Sequence, residues 1–342
     1  GNGGAERVIS TLANEFAKRG YAVALLVTMP DNNNYAMDER IRVYHCVSKK
    51  RNAVSRTVDR IKKIRRSIKD YSPDAIISFS SITNIQVLIA SIGIMGVKKI
   101  VSERTDPSRY PTSIMGKALR SLTYLMADTV VFQTEDARQY FNKLIRKKSE
   151  IIINPVCLSI RQRLNVQKER RIVGVGSLCE QKNWKMAIDA FIMFKTDHSG
   201  YIFEIYGIGE DEKMLLDYIE SKQLTGEVIL KGFSKTIQED ICSASMYVSS
   251  SIYEGISNSM LEAMAIGVPV ICTDCPVGGA RMVIDDGING LLVPVNDINA
   301  MSEAMGKIAD SSELAESLSK NSIRIAKELS LPRIVDKWMA LL

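Results

Sequence analysis

The chain repeats one pattern along its whole length: a short apolar run, a segment long enough for a helix, then another short apolar run. In the first half the runs include Tyr21–Thr28, Ala75–Ser80 and Thr129–Gln133, and in the second half Tyr201–Tyr206 and Val270–Thr273. Strands that alternate with helices at this spacing favour parallel sheets with helices packed on their faces. The pattern therefore predicts a doubly wound α/β fold.

The alternation is interrupted once, which indicates two domains. Residues 156–169 carry few apolar side chains, and the pattern restarts at Ile172. A chain of 342 residues is also long enough for two domains. We therefore predict a first domain at 1–155, a linker at 156–169, a second domain at 170–328 and a last helix within 329–342. Because the sequence opens with a loop that enters a helix, we expect the first domain to lack its opening strand.

Composition and charge limit the protein class. The chain is 46% apolar and 25% charged, as is usual for soluble globular proteins. No apolar run approaches the ~20 residues of a membrane span, and the start does not resemble a signal peptide. These two observations, together with the scattered cysteines, predict a cytoplasmic protein with reduced thiols. Residues 1–155 carry 26 Lys and Arg against 14 Asp and Glu, and the rest carries 19 against 25, so the two domains should meet different partners.

The stretch Ser251–Glu262 is the strongest candidate for a functional site. It follows the apolar run Met246–Ser250 and opens a helix whose first residues are Ser257, Asn258 and Ser259. The start of a helix presents backbone N–H groups to an anion. Small polar side chains add hydroxyl groups at the same place. This stretch therefore predicts a phosphate site.

Two carboxylates bracket this helix start. Glu254 precedes the helix and Glu262 lies within it, with seven residues between them. With a diphosphate bound at the N–H groups, each carboxylate has a place to accept hydrogen bonds from sugar hydroxyls. The arrangement suits a nucleotide-sugar, with phosphates in the middle, a ribose at one end and a hexose at the other.

The sequence of residues 254–270, EGISNSMLEAMAIGVPV, resembles the E-x7-E region of retaining glycosyltransferases of the GT-B fold, and in particular glycosyltransferase family 4. The resemblance implies two Rossmann-like domains that face a cleft, with the C-terminal helix crossing back to the first domain. It implies a UDP-sugar in the second domain and the acceptor in the first. Glu254 is then a catalytic residue, and Gly255, Ile256, Ser257, Asn258, Ser259 and Glu262 bind the donor.

Other donor-binding residues follow from the same resemblance. Lys182 matches the family lysine that clamps the donor diphosphate and is a catalytic candidate, but Ser177 stands where the family has an arginine. Lysine does not replace a bidentate arginine fork. Lys185 or Arg281 is a possible substitute, as are backbone amides. Gly207 and Gly209 resemble the segment that lines the nucleoside pocket.

The first domain offers further candidates by resemblance. Gly3 and Gly4 resemble the family loop at which backbone N–H groups approach the donor phosphate. Arg104 stands where many relatives have a histidine that contacts the transferred sugar; it is expected near the sugar but cannot act as a base. Both histidines, His45 and His198, lie outside these motifs, which argues against a histidine triad.

No cofactor or metal is expected. The sequence contains no Asp-x-Asp, the pattern of the metal-dependent GT-A glycosyltransferases. Helix N-termini and Lys182 would hold the donor phosphates instead. Residues 276–281, which are glycine-rich, are predicted to open a helix near the transferred sugar; a plain strand–helix turn is the alternative.

A basic segment, residues 49–69, predicts the acceptor side. Within it, Lys62, Lys63, Arg65 and Arg66 are candidate acceptor or membrane contacts. Val54, Val58 and Ile64 belong to an apolar stripe at helical spacing, which is expected to face the core. Such a helix fits a solvated face, a nucleic-acid patch or a membrane surface. We expect peripheral binding to the inner face of an anionic plasma membrane or to a diphosphate on a lipid carrier, and no nucleic acid.

The predicted function is retaining transfer of a hexose or N-acetylhexosamine from a UDP-sugar to a glycan or a polyprenyl-diphosphate-linked acceptor, in bacterial surface polysaccharide or glycoconjugate synthesis. Two alternatives stay open at this point. A sugar-nucleotide epimerase of the same fold would need acid and base carboxylates and no acceptor. A non-catalytic sugar-nucleotide-binding protein would explain the absence of the arginine at Ser177.

Overall fold

The computed structural model describes residues 4–29, 36–158 and 168–342. Gly3 and most of the predicted linker, residues 159–167, lie outside these ranges. The chain divides into two compact units, one formed by Gly1–Pro155 with Leu331–Leu342 and the other by Val156–Ser330. Within the described ranges, no helix is both long enough and apolar enough to cross a bilayer.

The first unit is built from parallel strands joined by helices. Its elements are α1 (Gly4–Lys18), β1 (Ala24–Val27), β2 (Arg42–His45), α2 (Ala53–Tyr71), β3 (Ala75–Phe79), α3 (Ser81–Ala90), β4 (Lys98–Ser102), α4 (Ile114–Tyr124), β5 (Thr129–Phe132), α5 (Glu135–Gln139), α6 (Lys143–Arg146) and β6 (Ser149–Ile151). β1 pairs with β2, and β3, β4, β5 and β6 pair in that order. Every pair is parallel, as the alternation predicted. Helix α3 packs against both α2 and α4, so these three helices form one layer.

The second unit contains one larger parallel sheet. Its elements are β7 (Glu169–Val175), α7 (Trp184–Lys195), β8 (Ile202–Tyr206), α8 (Glu212–Ser221), β9 (Val228–Gly232), α9 (Ile237–Ile241), β10 (Ala244–Ser249), α10 (Asn258–Ile266), β11 (Val270–Thr273), β12 (Leu291–Val293), α11 (Ile298–Asp310), α12 (Ser312–Ser322) and α13 (Ile325–Glu328). The spatial order is β12-β11-β10-β7-β8-β9. The chain therefore winds outward in opposite directions from β7 and β10. In open α/β sheets, ligands bind outside the carboxyl ends of the strands at this reversal.

The core of the second unit explains why α10 holds its place beside that reversal. Strand residues such as Ile172, Phe203 and Met246 are fully buried, as expected for a sheet covered on both faces. Every residue from Met260 to Ile266 is buried as well. The helix ends at Gly267, whose φ of 83° is the left-handed conformation that glycine adopts readily at helix ends.

The last helix, α14 (Leu331–Met339), belongs to the first unit. Trp338 on this helix is fully buried and packs on Phe79 at 5.5 Å between ring centroids. Asp336 accepts a hydrogen bond from Arg19 of α1 at 2.5 Å. The sequence predicts a last helix over Ile334–Leu342, after Pro332, but this proline lies in the first turn of α14, where the missing N–H is tolerated.

Three local predictions were wrong. Residues 276–281 form turns instead of opening a helix, because Gly278 has a φ of +75° and interrupts the helical conformation. The sequence predicts one helix over Leu314–Lys327, but the structure divides this segment into α12 and α13. The apolar stripe of α2 is buried at Ile64, but Val54 and Val58 are 72% and 45% exposed. The apolar cluster beneath α2 extends only to Ile61, so the first turns of the helix have no core to cover them.

Candidate functional site

The loops after β7, β8, β10 and β11 meet at the carboxyl edge of the larger sheet. A Cβ on Gly207 would lie 1.9 Å from the carbonyl oxygen of Gly176, and φ at this glycine is +150°. A Cβ on Gly279 would lie 1.6 Å from the carbonyl oxygen of Gly255. Glycine is required where backbones approach so closely. The glycines therefore bring the loops after β7 and β8 into direct contact, and likewise the loops after β10 and β11.

Backbone hydrogen bonds extend the sheet into the first two of these loops. The Gly176 N–H donates to Tyr206 O at 2.9 Å, and the Leu178 N–H donates to Ile208 O at 3.0 Å. A Cβ on Gly209 would lie 2.1 Å from the Leu178 carbonyl oxygen. Gly207 and Gly209, predicted separately from Lys182, thus lie against the loop that carries it.

Lys182 and Glu254 form an ion pair in this loop cluster. Lys182 Nζ lies 2.5 Å from Glu254 Oε1, and the two side chains are 12% and 19% exposed. Ser251 Oγ donates to the other carboxylate oxygen of Glu254 at 2.8 Å. The structure therefore brings together two predicted residues that are far apart in sequence.

Three hydrogen bonds fix the two loops that carry this pair. Lys182 ends a 3₁₀ turn, Glu180–Lys182, and its carbonyl accepts from Ser250 Oγ at 2.7 Å. The Ile252 N–H donates to Gln181 O at 2.9 Å, and Gln181 Nε2 donates to Tyr253 O at 2.9 Å. The loops after β7 and β10 are thus held in register at the position of the pair.

The start of α10 lies directly after Glu254. Ser257 caps the helix, and its hydroxyl accepts from the Met260 N–H at 3.3 Å. Ser259 Oγ donates to Val175 O at 3.0 Å and lies 2.9 Å from the hydroxyl of Tyr247. Ser259, predicted to bind the donor, therefore attaches the helix start to the end of β7.

Glu262 has a different environment from Glu254. It is 6% exposed, and Oε1 accepts a hydrogen bond from Gln238 Nε2 at 3.0 Å. Gln238 also donates to the Cys157 carbonyl at 2.8 Å. One carboxylate of the predicted pair is thus held by a cation and the other by an amide.

Ser177, at the position where the family has an arginine, lies at the surface. Ser177 is exposed, and its carbonyl accepts from Trp184 Nε1 at 3.0 Å. Of the two possible substitutes, Lys185 lies over the Tyr218 ring at 5.1 Å, and Arg281 Nε donates to Asp274 at 2.6 Å. Lys185 and Arg281 thus lie against Tyr218 and Asp274, whereas Lys182 lies against Glu254, on the loop that leads into α10.

In the first unit, Arg104 is enclosed by aromatic rings. Its guanidinium lies 4.5 Å from the Phe79 ring and 5.6 Å from the Trp338 ring, and Nη1 donates to Asn154 at 2.5 Å. Burial lowers the pKa of Arg104 to about 9, so the group stays protonated at neutral pH. Gly4 is the first residue of α1, and Gly3 lies outside the described residues.

The four basic candidates of α2 separate into two kinds. Lys63 Nζ donates to Val47 O at 2.6 Å, and Arg65 Nη1 donates to Ala90 O and Ile92 O at 2.8 and 2.7 Å. These two side chains hold the helix in the first unit. Lys62 and Arg66 are exposed.

Sequence reasoning missed three residues that support the site. Ser251 contacts Glu254, Tyr247 contacts Ser259, and Gln238 contacts Glu262. Burial raises the pKa of Tyr247 well above its usual value, so its hydroxyl remains able to donate. Ser251 lay inside the motif that was singled out, but Tyr247 and Gln238 carried no local signal.

These features define a class of protein. The second unit has the strand order of a nucleotide-binding α/β domain, and a lysine and a carboxylate meet in the loops at its ligand edge, just before the start of α10. Such a site suits a diphosphate with a polar group at either end.

Comparison with known proteins gives the family. The profile described as Glycosyltransferase Family 4 matches residues 2–159, and that described as Glycosyl transferases group 1 matches residues 158–324. The chain belongs to glycosyltransferase family 4, has the GT-B fold with two Rossmann-like domains, and is a glycosyltransferase.

The relatives extend this comparison. The chain is 28% identical, over 98% of its length and 94% of the relative, to the N-acetylgalactosamine-N,N'-diacetylbacillosaminyl-diphospho-undecaprenol 4-alpha-N-acetylgalactosaminyltransferase of Campylobacter jejuni. Its fold is similar to that of Anabaena HepE in complex with UDP-glucose, with a TM-score of 0.80, 16% identity and coverage of 100% and 97%. It is also similar to Staphylococcus aureus TarM, with a TM-score of 0.71 and 20% identity over 82% of this chain, which spans 58% of the TarM chain.

Proposed function

We propose that the enzyme transfers a hexose or N-acetylhexosamine from a UDP-sugar, with retention of configuration, to a glycan or a polyprenyl-diphosphate-linked acceptor in bacterial glycan synthesis. The observation that carries this proposal is the position of Lys182 and Glu254, 2.5 Å apart beside the start of α10. A cation, a carboxylate and a helix N-terminus within one loop cluster match the three parts of a sugar diphosphate. Anabaena HepE was crystallised with UDP-glucose, and the name of the C. jejuni relative includes an undecaprenol-linked acceptor, which supports the choice of substrates.

In the proposed reaction the protein positions the substrates and stabilises charge. Lys182 and the first-turn N–H groups of α10 bind the diphosphate and stabilise the negative charge that grows on the departing UDP oxygen. Glu254 and Glu262 accept hydrogen bonds from hydroxyls at the two ends of the donor. The acceptor hydroxyl attacks from the face that UDP leaves, while the sugar passes through an oxocarbenium-like state, so no protein nucleophile is needed.

We further propose that no metal is required. The sequence has no Asp-x-Asp, and the described residues contain no group of three His, Cys, Asp or Glu side chains arranged to hold an ion. The charge of the diphosphate would be met by Lys182 and by the helix dipole. Turnover that is unchanged by a chelator is the expected result, and restoration of lost turnover by Mg²⁺ would contradict it.

The test is a panel of UDP-sugars with and without a lipid-linked acceptor, with UDP release as the readout and NMR of the product to assign its anomeric configuration. Glu254→Ala and Lys182→Ala should each lower kcat/KM at least tenfold, which corresponds to about 1.4 kcal/mol of transition-state stabilisation. Lys320→Ala, an exposed residue of α12, is the matched control and should leave kcat/KM unchanged. Wild-type turnover in both site variants would overturn the proposed roles, and an inverted product would overturn the retaining mechanism.

A further inference from the structure

Helix α4 presents an apolar face to solvent. Ile114, Met115, Leu119 and Leu122 are 86%, 80%, 41% and 65% exposed. Their spacing places them along one side of the helix. A surface helix normally turns such a side toward the core. Exposed apolar patches of this kind mark places at which a protein meets a partner or a membrane.

The opposite side of α4 explains why the helix cannot turn this face inward. Arg120 is fully buried and donates to Tyr110 O at 2.6 Å and to Pro107 O at 2.9 Å. Its guanidinium also lies 3.8 Å from the buried carboxylate of Glu103. Burying the apolar face would leave these charged groups without partners, at a high cost in free energy. The exposure is therefore a property of the fold.

Helix α2, in the same layer, adds positive charge. Val54, Val58, Lys62 and Arg66 are four residues apart and all exposed, so they form one row on the helix surface. The first half of this row is apolar and the second half is basic. Helix α2 starts after the carboxyl end of β2, and α4 starts after the carboxyl end of β4. The exposed apolar residues at the start of each helix thus lie toward the carboxyl edge of the sheet whose strand precedes it, and α/β proteins bind ligands at such edges.

We propose that the exposed rows of α2 and α4, together called the docking face, bind the surface of an anionic lipid bilayer. The apolar row of α4 enters the boundary between headgroups and acyl chains. Lys62 and Arg66 contact the anionic headgroups. This inference rests on the proposed function, because a lipid-linked acceptor would remain at the leaflet while its headgroup is glycosylated.

Charge favours a bilayer over a second copy of the chain. Residues 1–155 have 26 Lys and Arg against 14 Asp and Glu. A two-fold dimer through this face would bring identical surfaces together, including the basic row of each copy. Lysine is also depleted in protein–protein interfaces. An anionic leaflet complements both the apolar and the basic parts of the docking face.

The first test uses Met115→Trp as a reporter. The two native tryptophans, Trp184 and Trp338, are 3% and 0% exposed, so the new side chain would be the exposed emitter. Its emission should shift to the blue when vesicles that contain phosphatidylglycerol are added at physiological salt. Unchanged emission would overturn the proposal. A blue shift that needs no vesicles and grows with protein concentration would also overturn it, in favour of self-association.

The second test measures vesicle binding by co-sedimentation. Ile114→Ser with Met115→Ser should weaken binding at least tenfold, because two exposed apolar side chains would no longer be buried in lipid. Lys62→Ala with Arg66→Ala should weaken it about 25-fold, at about fivefold per basic residue. Leu216→Ser with Lys213→Ala, exposed positions of α8, is the control and should bind as the wild type does. Equal binding by all variants would contradict the docking face.

UDP affinity and transfer distinguish this inference from the proposed function. All docking-face variants should bind UDP with unchanged affinity, which also shows that they fold. Transfer to a water-soluble acceptor without vesicle binding would overturn the docking face and leave the transferase reaction intact. Vesicle binding that depends on Ile114 and Met115, without transfer from any UDP-sugar, would support the docking face and overturn the proposed reaction.

Discussion

The ion pair between Lys182 and Glu254 should couple the stability of the two loops that carry it. Removal of one partner of a fully buried pair costs about 3–5 kcal/mol, whereas a fully exposed pair contributes about 0–1 kcal/mol. These side chains are 12% and 19% exposed and their charged atoms are 2.5 Å apart. We therefore expect Lys182→Met and Glu254→Gln each to lower the free energy of unfolding by about 1–3 kcal/mol.

The double variant, Lys182→Met with Glu254→Gln, measures the interaction energy of the pair apart from the contribution of each side chain. Because it leaves no unpaired charge, it should cost less than the sum of the single variants by about 1–2 kcal/mol. The assay is urea unfolding of all four proteins. The control cycle uses Lys320 and Glu316, which are 3.1 Å apart but 67% and 69% exposed, and its coupling should be below about 0.5 kcal/mol. Additive effects at both pairs would refute the argument from burial.

The same variants should change UDP affinity in opposite directions. Lys182→Met removes the cation proposed to bind the diphosphate and should weaken UDP binding at least tenfold. Glu254→Gln removes a negative charge and releases Lys182, so UDP should bind at least as tightly as it does to the wild type. Calorimetry with UDP alone measures both affinities. Equal loss of affinity in the two variants would mean that the pair acts only by holding the loops.

Two further predictions test other parts of the second unit. Gly279→Ala places a Cβ 1.6 Å from the Gly255 carbonyl oxygen and should lower the free energy of unfolding by about 1–3 kcal/mol. Gly306→Ala, inside α11, places its Cβ 3.6 Å from the nearest atom outside the helix and should raise the free energy of unfolding by about 0.5–1 kcal/mol. Urea unfolding measures both, and similar effects of the two variants would contradict the clash at Gly279. Burial lowers the pKa of His198, but its hydrogen bonds with Asp310 and the Phe194 carbonyl and the nearby charges of Asp310 and Asp197 together outweigh burial, so the net pKa is raised. The pair therefore stabilises the fold fully below the unfolded value of about 6.5 and less as pH rises through the folded value. His198→Gln should therefore cost up to about 1 kcal/mol at pH ~5.5 and less at pH ~8.5, and the reverse order would refute the sign.

Local sequence signals predicted most of the elements. The sequence predicts a helix over Trp184–Lys195 and a strand over Val270–Thr273, and these bounds match α7 and β11. They match because periodicity and end signals lie within each segment itself. The prediction of a helix start at residues 276–281 failed at Gly278, which has a left-handed conformation and precedes a glycine that packs against the Gly255 carbonyl. It also failed at the start of α2, where helical periodicity alone does not show how far the core extends.

The sequence by itself determined the parallel α/β architecture, the family and the residues that converge beside α10. Only the tertiary structure decided that Lys182 meets Glu254, because strand order and not sequence distance places the loops after β7 and β10 side by side. It also decided that α4 buries Arg120 and exposes Ile114 and Met115. A periodic pattern specifies two sides of a helix, but the partners packed around the helix determine which side is covered.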